Sequence, residues 1–461
     1  MTGRESTSFA SFVSTIALAS VTARCAAAPV DVPPRDLGSI ASAAPSPPSE
    51  PAPAASSPAS AEPAAPTVVS PSPVSYLEGA PQLDALFQAL AGLEDGPSRE
   101  AVRVLQYGDS HTAGDLGVSV VRRTLQARFG DGGRGFVPLG RPWKGYWQGG
   151  LHVGMSKEFY SARFRPDAGA TLANGAFGLL GVGIETAAAN AIAWTEVAAS
   201  FSHVEIAFLR QPRGGSFDVL VDDVETARVA SRTPAAGSEF VGLDVAEGPH
   251  KITIRAAGDG PVRVFGMTLD RATPAGVVVD ALGIVGAQIS TPLRWQEAHF
   301  AEQVAHRSPR LVIFAYGTNE AVEPRLTDAA YERSSKELLG RVARAAPGAS
   351  CLLLGPPDLA RKNEVTGEWT TVPRLLEIVA MQRRIAAEAG CAFYDQLAAM
   401  GGAGSVAVWA AEPEPRARKD RVHLTARGYA QIATSFAADL LHAYDQWRAA
   451  RASSPAVAAR P

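Results

Sequence analysis

Residues 102–115 read VRVLQYGDSHTAGD. The first half is apolar and rich in branched side chains, and it breaks at Gly108. The second half is small and polar and leads into Leu116, Val121, Leu125 and Phe129 at helical spacing. Such a run reads as a buried strand, a tight turn and an amphipathic helix. It sets Ser110 between the carboxyl end of a strand and a helix N-terminus. The same texture returns four times further on. VVVDALGIVG (277–286) leads to a helix through Trp295 and Phe300, and LVIFAYGT (311–318) to one through Tyr331 and Leu338. SCLLLGPPD (350–358) precedes a helix through Leu375, Ile378 and Ile385 closed by Gly390, and CAFYDQ (391–396) precedes a final helix with Tyr429, Ile432, Phe436 and Leu440 on one face. Five apolar strands alternating with helices predict a parallel sheet covered on both faces.

Between roughly 147 and 274 the texture changes. SHVEIAFLR, SFDVLVDD, HKITIRAAG and VRVFGMTLD are short alternating strands separated by Gly, Pro and Asp turns, with no helical periodicity. This stretch is expected to form an inserted antiparallel β-sandwich or jelly roll. Upstream, residues 8–23 form a short apolar run after Arg4, too short and too rich in Ser and Thr to span a bilayer comfortably. It reads as the core of a signal peptide. Cleavage at Ala26-Ala27-Ala28 and lipidation of Cys25, which would attach the chain to a membrane, both stay open. The segment that follows is almost wholly Ala, Pro and Ser and cannot bury a core. The expected organisation is a signal peptide over 1–25, a disordered linker over 26–75, an α/β part over 76–146 and 275–448, the β insert over 147–274, and a disordered tail over 449–461.

The chain has 461 residues, a net charge of −3 and 19% charged residues. That length suits two or three domains, and the near-neutral balance argues against a nucleic-acid partner. A monomer is expected. The three cysteines cannot make a disulfide framework, no CxxC or HExxH spacing occurs, and the eight histidines are scattered. No metal site or other cofactor is expected. Cys351 and Cys391 each open a strand and read as two small buried thiols, with a bridge open if those strands are neighbours.

In an open α/β sheet, ligands sit beyond the carboxyl ends of the strands. The strand ends and the loop before the last helix offer Ser110, Gly286, Asn319 and, in KDRVHLTARGY (419–429), the pair Asp420 and His423. A serine hydroxyl needs a base to become a nucleophile, and a neutral His423 can serve. Asp420 can fix the tautomer of that base. The N–H groups of Ser110 and Gly286 and the Asn319 amide can receive an oxyanion. Singly, each has a plain explanation: Ser110 as a helix cap, Asn319 as a turn residue, Asp420 and His423 as a helix start. Four of them in this order on an α/β pattern do not.

The blocks YGDSHTAGD, Gly286, YGTNEA and DRVHLT resemble the SGNH (GDSL-like) hydrolases, and the resemblance covers about 90–145 and 275–448. The wording of the first and third blocks, the stretch AAMGGAGSVAVW and the β insert are closest to the peptidoglycan O-acetylesterase branch. The resemblance implies a flavodoxin-like three-layer α/β/α sandwich, an insert similar to a carbohydrate-binding module, and hydrolysis of acetyl esters on an O-acetylated polysaccharide. An acetyltransferase using the same residues and a non-catalytic glycan-binding envelope protein are the alternatives. Asp109 is expected to brace the nucleophile loop, with His111 and Asp115 beside the site as shaping or capping residues. Trp143, Tyr146 and Trp147 read equally as glycan contacts or as an interdomain staple. Trp409 and the glycines at 401, 402 and 404 are expected in a flexible loop near the site. Gly130, Gly132 and Gly135 fit a dinucleotide fingerprint but follow a helix rather than a strand, so that reading fails.

Overall fold

The computed structural model describes residues 75–96, 100–163, 175–272 and 275–453. The leader with Cys25, nearly all of the Ala/Pro/Ser segment and the chain from residue 454 lie outside the described residues.

The chain opens with β1 (Leu77–Glu78), α1 (Asp84–Asp95), β2 (Ala101–Gly108), α2 (Ser110–Ala113) and α3 (Leu116–Phe129). Nine strands of a second sheet follow: β3 (Gly133–Val137), β4 (Leu151–Met155), β5 (Tyr160–Arg163), β6 (Val182–Thr186), β7 (Ile192–Arg210), β8 (Ser216–Val221), β9 (Val224–Ala230), β10 (Gly237–Ala256) and β11 (Val262–Asp270). The first sheet resumes with β12 (Gly276–Gly283), α4 (Glu297–Arg307), β13 (Leu311–Ala315), α5 (Asp328–Ala345) and β14 (Ser350–Leu354). A small hairpin, β15 (Ala360–Lys362) and β16 (Trp369–Thr371), precedes α6 (Pro373–Ala389) and β17 (Ala392–Tyr394), and α7 (Gln396–Met400), α8 (Ser405–Ala411) and α9 (Ala426–Ser453) complete the order.

The first sheet has the order β1-β17-β14-β13-β2-β12, parallel throughout except for the edge strand β1. Taken as the first to fifth parallel strands of the chain, β2, β12, β13, β14 and β17 stand in the flavodoxin-like order 2-1-3-4-5. The strands are buried on both faces, so they read as continuous apolar runs. Residues of α1, α3 and α9 join one core on one face, and those of α4, α5 and α6 another on the opposite face. This is the expected three-layer sandwich.

The second sheet is antiparallel, in the order β5-β6-β11-β7-β10-β8-β9, with β3 beside β11 and β4 beside β7. Of its two long central strands, β7 (19 residues) pairs with β10, β11 and β4, and β10 (20 residues) pairs with β7 and β8. Register shifts between Asp244 and His250 interrupt the ladder between them. Phe201, Ile206, Phe208, Phe217, Ile252 and Val264 pack in one core.

Four readings need correction. Cys351 and Cys391 are not separate thiols: β14 and β17 are neighbours, Leu352 stands opposite Ala392, and the two cysteines form a disulfide across 40 residues of sequence. β3 falls within 76–146 yet pairs with β11, because Gly133–Val137 is an all-buried strand with a partner only in the second sheet. The tail expected from 449 is helical through Ser453, because the Trp447 indole donates to Asp84 at 2.7 Å and Arg448 and Arg451 pair with Asp95 and Asp84, tying the last turns to α1. Trp409 lies not in a loop but on α8, 3% exposed, in a core with Val406, Leu424 and Ile432.

The two sheets are joined by buried charge. Arg307 on α4 reaches Asp270 on β11 (2.8 and 3.1 Å) and Asp280 on β12 (2.8 and 3.1 Å), and Asp280 also accepts the Phe136 N–H at 2.7 Å.

Candidate active site

The first and third parallel strands, β2 and β13, lie side by side, with the second on the far side of β2. Connections leave this point in opposite directions, which opens a crevice at the carboxyl ends. Ser110 follows β2 and Asn319 follows β13. Gly108 makes the turn possible: a Cβ there would lie 2.2 Å from Thr112 Oγ1 and 2.8 Å from the Ala315 carbonyl. Asp109 caps the short helix α2, its Oδ1 accepting the His111 N–H at 2.9 Å. Ser110 is the first residue of that helix, so its own N–H has no intrahelical acceptor.

Ser110 Oγ lies 2.9 Å from His423 Nε2, and His423 Nδ1 lies 2.9 Å from Asp420 Oδ2. The other Asp420 oxygen accepts the N–H groups of Val422 and His423, both at 3.0 Å. Burial pushes the Asp420 carboxyl up, but the bonds from the His423 ring and these two N–H groups outweigh it and hold it well below the usual carboxylate range. An ionised Asp420 therefore stands against the ring nitrogen opposite the serine. The three side chains form one connected path from hydroxyl to imidazole to carboxylate.

Gly286 lies in the loop after β12 with φ +77, and nothing stands within 4 Å of where a Cβ would project. Asn319 Nδ2 donates to the Ala287 carbonyl at 2.9 Å and has a second, marginal contact of 3.5 Å to Asp109 Oδ2. One amide hydrogen thus fixes the side chain, and the other is held only weakly.

Asp109 is 1% exposed. Burial pushes its carboxyl up to about 7, against the His111 N–H bond. His111 is turned from the nucleophile: its Nδ1 lies 2.9 Å from the Tyr429 hydroxyl, and its ring centre is 5.4 Å from that of His423. Burial, then the neighbouring His423, depresses its imidazole to about 3 and keeps it neutral.

One contributor escapes sequence reasoning, and one expected residue gains partners that the sequence does not show. Glu320, fully buried, accepts the Gly317 N–H at 2.9 Å and the Ile289 N–H at 2.6 Å, clamping the Asn319 loop to the Gly286 loop. Burial pushes it up to about 7. Its only signal was its place directly after Asn319. Asp115, an N-cap with φ 59, takes both terminal nitrogens of Arg122 (3.0 and 2.8 Å) and pairs with Arg134 of β3 at 2.7 Å. That pairing is invisible until the second sheet is folded against α3.

The three aromatic residues separate. Trp143 packs against the core on the α4 to α6 face and meets Tyr146 edge-on at 5.0 Å between ring centres. Trp147 is 58% exposed and lies over Gly114, whose added Cβ would be 3.3 Å from the indole. Among the described residues, no group of three or more His, Cys, Asp or Glu could hold a metal ion, and no helix is long and apolar enough to cross a membrane.

The GDSL-like Lipase/Acylhydrolase family matches residues 245–431. The match takes in Gly286, Asn319, Asp420 and His423, and begins within β10, after Ser110. With the fold, this match supports an esterase of the GDSL-like acylhydrolase kind. Among solved structures, a peptidoglycan O-acetylesterase is similar at 26% identity with a TM-score of 0.66, over 81% of this chain and 99% of its own. A family two carbohydrate esterase from Clostridium thermocellum in complex with cellohexaose aligns at 12% identity over 56% of this chain and 94% of its own, with a TM-score of 0.24. One from Cellvibrio japonicus aligns at 13% over 64% and 99%, with a TM-score of 0.25. No curated protein sequence matches.

Proposed function

We propose that the protein removes O-acetyl groups from a cell-envelope glycan, peptidoglycan foremost, through an acetyl-serine intermediate. The observation that carries this reading is the likeness to the peptidoglycan O-acetylesterase, which extends through both sheets over 81% of the chain. In this mechanism His423 Nε2 takes the Ser110 proton as Oγ attacks the acetyl carbonyl. The Ser110 and Gly286 N–H groups and the Asn319 amide receive the oxyanion, and Asp420 stabilises the imidazolium. His423 then protonates the departing sugar oxygen, and water, deprotonated by the same ring, releases acetate and frees Ser110. Asp109 and His111 support the turn rather than move protons. The exposed Trp147 offers a flat face to a sugar ring. Such a substrate calls for an exported protein, free or held to the envelope through Cys25.

Acetate release from O-acetylated peptidoglycan, beside acetylated xylan and a long-chain ester, tests the reading. Preference for the first polymer is expected. Preference for the long-chain ester refutes it.

A further inference from the structure

Beside Trp147, α3 and the second sheet leave a groove of about 360 Å³. Gly114, Gly150, Ser119 and Arg271 are among the residues that line it. Gly114 is four residues beyond Ser110, a rise of about 6 Å along a helix.

Four guanidinium groups line the groove, those of Arg122, Arg123, Arg134 and Arg271, against the two carboxylates of Asp115 and Asp131. Arg271 is neutralised, pairing with Asp131 and with Glu247. Arg122 and Arg134 share the single carboxylate of Asp115. Arg134 is 8% exposed, and its Nη1 is buried with no hydrogen-bond partner among the described residues. Arg123, exposed on α3, makes no ion pair among them. With Glu247 counted, the groove thus keeps one positive charge in excess and a buried donor whose need is unmet. A buried guanidinium N–H left without an acceptor is costly, and a carboxylate is the acceptor whose geometry fits it.

We propose that this groove is a subsite for the carboxylate-bearing part of the polymer whose ester is cleaved at Ser110. The proposal rests on the glycan reading above. Arg123 and Arg134 receive the carboxylate, and Trp147, over Gly114, guides the chain between subsite and nucleophile.

The test compares intact O-acetylated peptidoglycan, the same polymer with its carboxyl groups amidated, glycan strands stripped of peptide, and p-nitrophenyl acetate. Arg123→Gln and Ser119→Glu should each lower kcat/KM on the intact polymer about tenfold, mainly through KM, as for one exposed charge-assisted bond. Neither should affect the amidated polymer or the small ester. Loss retained on stripped strands assigns the carboxylate to the sugar, and loss abolished assigns it to the peptide. Equal losses on intact and amidated polymer, or none on either, overturn the subsite. Co-sedimentation of the Ser110→Ala protein with the same polymers separates this inference from the reading beneath it. Binding that weakens on amidation and in Arg123→Gln upholds the groove even if no acetate is released. Binding indifferent to both overturns the groove even if the esterase reading holds.

Discussion

Reducing the Cys351–Cys391 bridge should weaken the fold and leave the chemistry untouched. The bridge closes 40 residues. Chain-entropy arithmetic for a loop of that length gives about 4 kcal/mol of stabilisation at 25 °C. Spread over the unfolding entropy of a chain folded from Tyr76 to Ser453, this is roughly 5 °C in melting temperature. The two cysteines lie at the amino ends of β14 and β17, about 10 Å of strand away from the carboxyl ends of the sheet that carries the site. The assay is a pair of thermal melts, oxidised and reduced, with ester turnover measured at 25 °C in both states. A Cys351→Ala/Cys391→Ala variant should melt with the reduced protein or slightly below it, since Cys391 is only 5% exposed and its sulfur fills space. Identical melts in the two states would mean that the sulfurs are not bridged. A tenfold fall in kcat on reduction, with the fold intact, would mean that the bridge governs the site and that the distance argument fails.

Ser110→Ala should abolish turnover, by roughly a million-fold, with His423→Ala nearly as severe and Asp420→Ala milder; substantial acetyl-ester activity in the Ser110 variant removes it as nucleophile. Asn319→Ala should lower kcat roughly a hundred- to a thousand-fold, and an unchanged kcat removes its amide from the oxyanion site. Asp109 titrates at about 7 in the fold against 3.8 ordinarily. Its contribution to stability is whole below the ordinary value and is lost as pH rises through about 7, so Asp109→Asn should melt with a shallower decline from about pH 4 to about pH 7; profiles parallel to the wild type contradict this. Glu320→Ala should lower kcat by loosening both loops, and Glu320→Gln, which can keep one acceptor, should recover part of it; equal activity in the two variants would deny the clamp.

The strand ends were legible because a parallel sheet buried on both faces writes itself as apolar runs, and each run stops at a polar loop. Ser110, Asn319 and the Asp420–His423 pair all fall at such stops or just before a helix. What stayed hidden depends on which strands become neighbours. The pairing of Cys351 with Cys391 follows from β14 lying beside β17, and sheet order is not contained in any local pattern. β3 carries GRGFV, too short to declare its partner, and its membership is settled by β11 some 130 residues later. Trp143, Tyr146 and Trp147 are indistinguishable as a sequence cluster, and only packing separates a core ring from an exposed one. The end of α9 was read as frayed because its residues are Ala and Arg, whereas its order comes from carboxylates on α1.

The ion network that joins the sheets has a consequence for heredity. An insertion within a chain suggests a cassette, gained or exchanged as a piece. Here Asp270 belongs to the inserted sheet, Asp280 and Arg307 to the host, and all three are 6% exposed or less. Exchanging the inserted sheet for another lacking Asp270 and the Phe136 N–H would leave Arg307 and Asp280 buried with part of their partners gone, a defect of about 3–5 kcal/mol. That is a large share of what holds an ordinary domain together. The two sheets are separable as sequence and inseparable as a thermodynamic object. They should therefore descend, drift and melt together, and a graft that ignores Arg307 should fail before its new binding surface is ever tried.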